Sequence, residues 1–220
     1  MRLFITATDT GVGKTIVSAL LFRYLLSRSL DCVYLKPLQT GCSHALDRES
    51  DAAVVYGKGA RKEIEDAICY LFSPARAPYF AASLEGREID WGHLLRWVEE
   101  RTRGRDVAII EGAGGLMVPV TRHRLIIDLI KETSSHAIVV ARPGLGTINH
   151  TLLSLEMLTK RDIPIKGVWF SLGEETPRDL MEENRRAIEM FSGIGVEVVE
   201  HLEDLSSPSL QFPSFFSHLF

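Results

Sequence analysis

The chain has 220 residues, 45% hydrophobic and 25% charged, enough to bury a sizeable core as one domain of α/β size spanning residues 1–220. A net charge of −4 gives no global attraction to nucleic acid or to an anionic membrane. No apolar run approaches membrane-spanning length and no charged leader precedes the first strand, so neither partner is expected and the chain reads as cytoplasmic. Cys32, Cys42 and Cys69 are odd in number and lack C-x-x-C spacing, which indicates neither a disulfide framework nor a zinc site.

Leu3–Ile5 is a short apolar run that predicts a strand, followed by a small, turn-prone stretch. Gly13-Lys14-Thr15 then opens into an apolar helical pattern over Ile16–Leu26, the order strand, phosphate loop, helix. Gly13 lets the backbone approach a polyphosphate, and successive N–H groups near the helix start point at the anion. Lys14 brings a mobile positive charge to the outer phosphates, and the Thr15 hydroxyl is placed to ligate Mg²⁺. The match to G-x-x-x-x-G-K-[ST] lacks its first glycine, since Thr8 stands there.

Cys32–Leu35 predicts a second strand, ending on Lys36-Pro37. Ligands of doubly wound sheets bind beyond the carboxyl ends of the strands, so Lys36 either shares a crevice with the phosphate loop or is a solvated strand terminator. Leu38–Gly41 reads as a polar turn whose Thr40 hydroxyl can hold a substrate group. Asp51 opens a helix and is either a first-turn carboxylate favoured by the helix dipole or a metal-site acid. Tyr70–Gly86, rich in proline and alanine, is expected to begin as a loop. Ile89–Arg101 is expected to be an amphipathic helix packing through Trp91, Leu94, Leu95, Trp97 and Val98.

Asp106–Gly115, DVAIIEGAGG, places four apolar residues before Glu111 and a glycine-rich turn after it. The apolar run predicts a buried parallel strand. An acid at such a strand end, beside a phosphate loop, holds Mg²⁺ directly or through water; otherwise it merely ends a strand. Leu125–Glu132 is expected to be helical and Ala137–Ala141 a strand. Its exit, Arg142–His150, leads into a helix over Thr151–Lys160, a second glycine-rich junction able to bind a carboxylate. His150 is there either catalytic or structural. Ile165–Phe170 and Val196–Val199 predict strands and Arg178–Phe191 a helix. Phe212, Phe215, Phe216 and Phe220 give the tail an apolar face for the core or a neighbouring subunit. The alternation predicts a single-domain P-loop NTPase fold of α/β class, with a mostly parallel central sheet and helices on both faces.

The segments TDTGVGKT, LKPLQTG, ESDA, APYFAASLEG, IEGAGG and PGLGTINH, in this order over about residues 3 to 170, resemble the dethiobiotin synthetase family of biotin biosynthesis. The resemblance implies a homodimer that carboxylates 7,8-diaminononanoate with CO2. ATP then activates the carbamate as a mixed anhydride and the second amine closes the ureido ring, giving dethiobiotin, ADP and phosphate. It implies that Gly11, Val12, Gly13, Lys14, Thr15 and Ile16 cradle the nucleotide phosphates, with Lys14 on the transferred phosphate. Thr15, Asp51 and Glu111 would hold Mg²⁺, Lys36 would be the catalytic lysine beside the carbamate, and Thr40 would contact substrate. Gly112, Ala113 and Gly114 would line the nucleotide and substrate cleft. Gly144, Leu145, Gly146 and Asn149 would reach the diamine's carboxylate across the dimer interface. Ser171 stands where many members have the asparagine that reads adenine, so other nucleoside triphosphates are expected to serve, and Glu200–Leu202 falls at the base pocket. Another enzyme of the same ATPase superfamily and a partitioning ATPase of the ParA or MinD type are the rival readings; the latter group carries a second lysine at the loop's start, where this chain has Ala7-Thr8-Asp9.

Overall fold

The computed structural model describes residues 1–172, 176–200 and 212–219. Seven strands, β1 (Arg2–Ala7), β2 (Cys32–Thr40), β3 (Ile68–Phe72), β4 (Val107–Glu111), β5 (His136–Ala141), β6 (Ile165–Leu172) and β7 (Val196–Glu200), form one sheet in the order β3-β2-β4-β1-β5-β6-β7. Every neighbouring pair is parallel, so the sheet is wholly rather than mostly parallel. Connecting helices are α1 (Lys14–Ser27), α2 (Asp51–Tyr56), α3 (Arg61–Asp66), α4 (Pro78–Leu84), α5 (Trp91–Thr102), α6 (Ile126–Glu132), α7 (Thr147–Lys160) and α8 (Arg178–Ser192).

Helices cover both faces, because a parallel strand needs a crossover and each crossover must bury an apolar stripe. On one face α1, α2 and α3 contribute Val17, Leu20, Leu21, Ala52, Val55 and Ile64 over Leu3, Ile5, Ile109 and Ile138. On the other, α4 to α8 contribute Ala81, Leu94, Ile127, Leu155 and Ile188 over Phe4, Ile110, Val139 and Phe170. The tail packs on the first face: Phe216 is fully buried, its ring centroid 5.3 Å from that of Trp169 and 5.4 Å from that of Tyr24. Tail and core therefore meet within one chain. The three cysteines are unpaired thiols.

Several local expectations change. β2 does not end at Leu35 but runs through Thr40, so Lys36 lies within the strand rather than at its end, and Thr40 is a strand residue, not a turn residue. The strand changes neighbours midway, with Cys32–Leu35 paired to β4 and Lys36–Thr40 paired to β3. Pro37, which has no N–H to donate, falls just where pairing with β4 has stopped, so no ladder bond is lost. β3 and α4 occupy the stretch expected to begin as a loop, and α3 was without a sequence signal strong enough to predict it. α7 begins at Thr147, four residues before the expected start.

Candidate active site

The loops after β1, β2, β3 and β4 open at the same sheet end and surround a cleft of about 680 Å³. Its lining includes Gly11, Gly13, Lys14, Thr15, Ile16, Lys36, Thr40, Asp51, Glu111, Ala113 and Gly114, residues widely separated in sequence. Gly13 caps α1 with φ of 99°, a left-handed conformation that side chains resist, and delivers Lys14 and Thr15 at the helix start.

A buried polar network fills the cleft floor. The Lys36 ammonium lies 2.6 Å from Asp51 Oδ2 and 2.9 Å from Glu111 Oε1, and also donates to the Gly112 carbonyl at 3.0 Å. Thr15 Oγ1 is 2.6 Å from Asp51 Oδ1 and 3.1 Å from Glu111 Oε1. Burial works against the charge of Lys36, but Glu111 and then Asp51 outweigh it and raise its pKa above the ordinary lysine value. Burial likewise opposes the charge on Asp51, yet Lys36 and the Thr15 hydrogen bond hold that carboxyl below its ordinary value. Lys36 and Asp51 therefore both carry charge at neutral pH. Lys14 differs: burial, followed by repulsion from Lys36, lowers its pKa from 10.5 to about 8.

Thr15 Oγ1, Asp51 Oδ1 and Glu111 Oε1 are hard oxygen donors converging within these distances, a donor set that fits Mg²⁺. Two supporting residues had gone unnoticed in the sequence. Ser18 and Tyr34 donate to the second oxygen of Glu111, Oε2, at 2.7 and 3.0 Å, which leaves Oε1 facing Thr15 and Lys36. Their spacing carries the signal: Ser18 is one helical turn from Thr15, and Tyr34 is two strand residues from Lys36, so each pair shares a face. Gln39 similarly accepts from the Asp51 backbone N–H at 3.1 Å.

The remaining predicted residues occupy other positions. The Val12 side chain is buried in the core, which leaves the role expected of Val12 to its backbone. Gly144, Leu145, Gly146 and Asn149 belong to the β5–α7 junction and do not line this cleft; Leu145 is 95% exposed. His150 is exposed on α7 and makes no contact with the network. Ser171 is buried on β6, in register with Val199 of β7. The segment Glu200–Leu202 continues past Glu200 outside the described residues. Arg142, not singled out in the sequence, reaches back from the end of β5 to the carbonyls of Thr10 and Gly11 at 3.4 and 3.5 Å.

Residues 1–209 match a family described as an AAA domain. The ATP-dependent dethiobiotin synthetase BioD of Paramagnetospirillum magneticum is 42% identical over 193 residues, covering 88% of this chain and 84% of that protein. A protein of the same name from Lysinibacillus sphaericus is 38% identical over 211 residues, covering 92% and 88%. Among solved structures, the MinD cell division protein of Aquifex aeolicus superposes with a TM-score of 0.55 at 15% identity, covering 93% of this chain and 84% of its own. That likeness shows the fold alone.

Proposed function

The chain belongs to the ATP-dependent dethiobiotin synthetase family, and from that premise we propose how its cleft carries out the reaction. The enzyme is an ATP-dependent cyclo-ligase: 7,8-diaminononanoate is carboxylated by CO2, the carbamate is phosphorylated, and the second amine closes the ureido ring with release of phosphate. The single observation that carries the assignment of roles is Lys36, held between Asp51 and Glu111 at 2.6 and 2.9 Å beside Thr15 of the phosphate loop.

Transfer of a phosphoryl group to a carbamate oxygen brings two anions together, so the demand on the protein is electrostatic and positional. The backbone from Gly11 to Ile16 surrounds the nucleotide phosphates, and Lys14 neutralises the transferred one. Lys36 approaches the carbamate from the cleft floor, with Thr40 two strand steps beyond Leu38 as a substrate contact. Thr15, Asp51 and Glu111 would hold Mg²⁺, which when bound neutralises charge on the β- and γ-phosphate oxygens. Ala113 and Gly114 complete the wall. No side-chain nucleophile is required, since the substrate's own amines form both carbon–nitrogen bonds.

Gly144, Leu145, Gly146 and Asn149 bind the diamine's carboxylate in the cleft of a second copy, making a homodimer the working unit. Supporting this reading, Leu145 is 95% and Leu153 59% exposed, an apolar pair beside a helix N-terminus that has no place in its own chain's cleft. At the base end, the short hydroxyl of Ser171 offers no amide for adenine, which favours relaxed nucleotide choice.

The test is phosphate release by the purified full chain with diamine, bicarbonate, Mg²⁺ and ATP, with mass spectrometry of the product. Diamine-dependent hydrolysis with dethiobiotin formed is the expected result. Hydrolysis indifferent to the diamine, with no dethiobiotin, overturns the reading. Substituting CTP and GTP tests nucleotide choice, and a strict preference for ATP would refute the role given to Ser171.

A further inference from the structure

Three cations line the cleft, and the protein already engages two of them. Lys36 is paired with Asp51 and Glu111, and Lys14 donates to the Asp9 carbonyl at 3.3 Å. The third is Arg76, in the loop between β3 and α4; its guanidinium has no hydrogen bond or ion pair to any described residue. Lys14 and Lys36 are balanced in charge by Asp51 and Glu111, so Arg76 is the uncompensated charge of the lining. The cleft lining also includes the apolar Leu38, Ala75, Pro78 and Val118. A guanidinium in the cleft lining with no partner among the described residues has its planar fork of donors available for a two-oxygen anion.

Strand order indicates which anion. The phosphate loop leaves β1, Glu111 ends β4, Lys36 lies on β2, and the Arg76 loop leaves β3, which is the sheet's outermost strand on that side. Successive neighbours in this series are about 4.8 Å apart. Arg76 is therefore on the far side of Lys36 from the nucleotide phosphates, where the acceptor must lie.

We propose that Arg76 binds the carboxylate group that the acceptor amine gains from CO2 and orients it for phosphorylation. The amine nitrogen bonds to the carbon of CO2 and its proton passes to solvent, leaving a carbamate anion. One carbamate oxygen then bonds to the γ-phosphorus as the bond from that phosphorus to ADP breaks. Arg76 pairs with the carbamate before the second step and exchanges no proton. This assignment rests on the dethiobiotin synthetase reaction proposed above and adds to it the residue that recognises the reaction's first intermediate.

The experiment compares the full-length wild type with Arg76→Met and Arg76→Lys, using both 7,8-diaminononanoate and 2,3-diaminononane, in which a methyl group replaces the distant carboxylate. Arg76 is on the surface, so both variants should melt with the wild type by circular dichroism. Arg76→Met is expected to lower kcat/KM for the diamine about 30-fold, as for a lost charge-assisted hydrogen-bond pair. The KM for ATP should stay within about twofold, and Arg76→Lys should recover part of the loss. The same factor should appear with 2,3-diaminononane, because the carbamate forms on either diamine. Unchanged kinetics, or a loss confined to the KM for ATP, overturns the proposal. A loss that vanishes with 2,3-diaminononane also overturns it, since the partner would then be the distant carboxylate. A wild type that makes no dethiobiotin refutes the reaction itself, whereas an active wild type with an equally active Arg76→Met refutes only the role of Arg76.

Discussion

The molecule contains two nearly identical strand-to-helix junctions with very different surroundings. β1 to α1 and β5 to α7 each turn through a left-handed glycine at the N-cap, Gly13 with φ of 99° and Gly146 with φ of 89°, and each opens a 14-residue helix with no side-chain cap. Both therefore present the positive end of a helix dipole. The first is enclosed: Lys14 and Ser18 are buried, and Thr15 contacts Asp51 and Glu111. The second is pinned from behind by a neutral residue, Asn184, whose amide donates to the carbonyls of Pro143 and Gly144 at 2.8 and 3.3 Å, while Leu145 stands in solvent. A helix N-terminus is a general anion acceptor; the charged network around it decides whether it can run phosphoryl chemistry.

The sharpest test of that contrast is Lys36→Met. Loss of product formation by at least about a thousand-fold is expected, with nucleotide binding retained in calorimetric titration. The substitution also leaves Glu111, which is fully buried, without its cation, and should lower stability by about 3–5 kcal/mol in denaturant melts. Lost nucleotide binding in a folded variant would make Lys36 a nucleotide ligand and remove its acceptor role.

The two junctions can be set against each other by Gly13→Ala and Gly146→Ala. Each forces a methyl-bearing residue into the left-handed region and should cost about 1–2 kcal/mol of stability. Nucleotide affinity should fall in Gly13→Ala alone, and an equal fall in both would mean that the second junction also contacts the nucleotide.

Charge at the first junction should respond to pH through Lys14. Its folded pKa of about 8 lies below the ordinary 10.5, so between those values the unfolded chain keeps a proton that the folded chain has released. The Lys14 contribution to stability therefore rises with pH across that window, and the burial penalty is felt in full below it. In nucleotide-free protein, the stability advantage of Lys14→Met over wild type should narrow between about pH 7 and about pH 9.5. Wild-type affinity for the triphosphate should decline over the same range as the cation is lost.

The smallest effect on folding is expected from Leu145→Asp. A residue 95% exposed should change stability by less than about 0.5 kcal/mol. In the homodimeric site proposed for this enzyme, the variant should nevertheless raise the KM for the diamine and reduce the dimer fraction in analytical ultracentrifugation. An unchanged KM would remove the second junction from the substrate site.

Much of the candidate site was legible because its members announce themselves locally. Lys14 and Thr15 follow a glycine-bearing turn, and Glu111 ends an apolar run. Asp51 has two readings in the sequence, and in the structure it both stands in the first turn of α2 and pairs with Lys36. Ser18 and Tyr34 carry no such local signal, because a serine in an apolar helix and a tyrosine in an apolar strand look like packing residues. Arg76 lay in a stretch expected to begin as a loop, although β3 and α4 frame it. The long extent of β2 was hidden by Pro37, whose usual meaning as a strand breaker is set aside where one neighbour ends and another begins.

By itself, the sequence determined the alternation of strands and helices, the phosphate loop and the family, because these depend on short-range periodicity and on residue types at fixed spacing. The tertiary structure decided the strand order and which isolated charges meet. Lys36, Asp51 and Glu111 are separated by 15 and 60 positions along the chain, and only the pairing of β2 with β4 and the placement of α2 bring them within hydrogen-bond distance. Burial then gives that meeting its energetic weight, because charges that water would screen on separate loops must neutralise one another on the floor of a cleft.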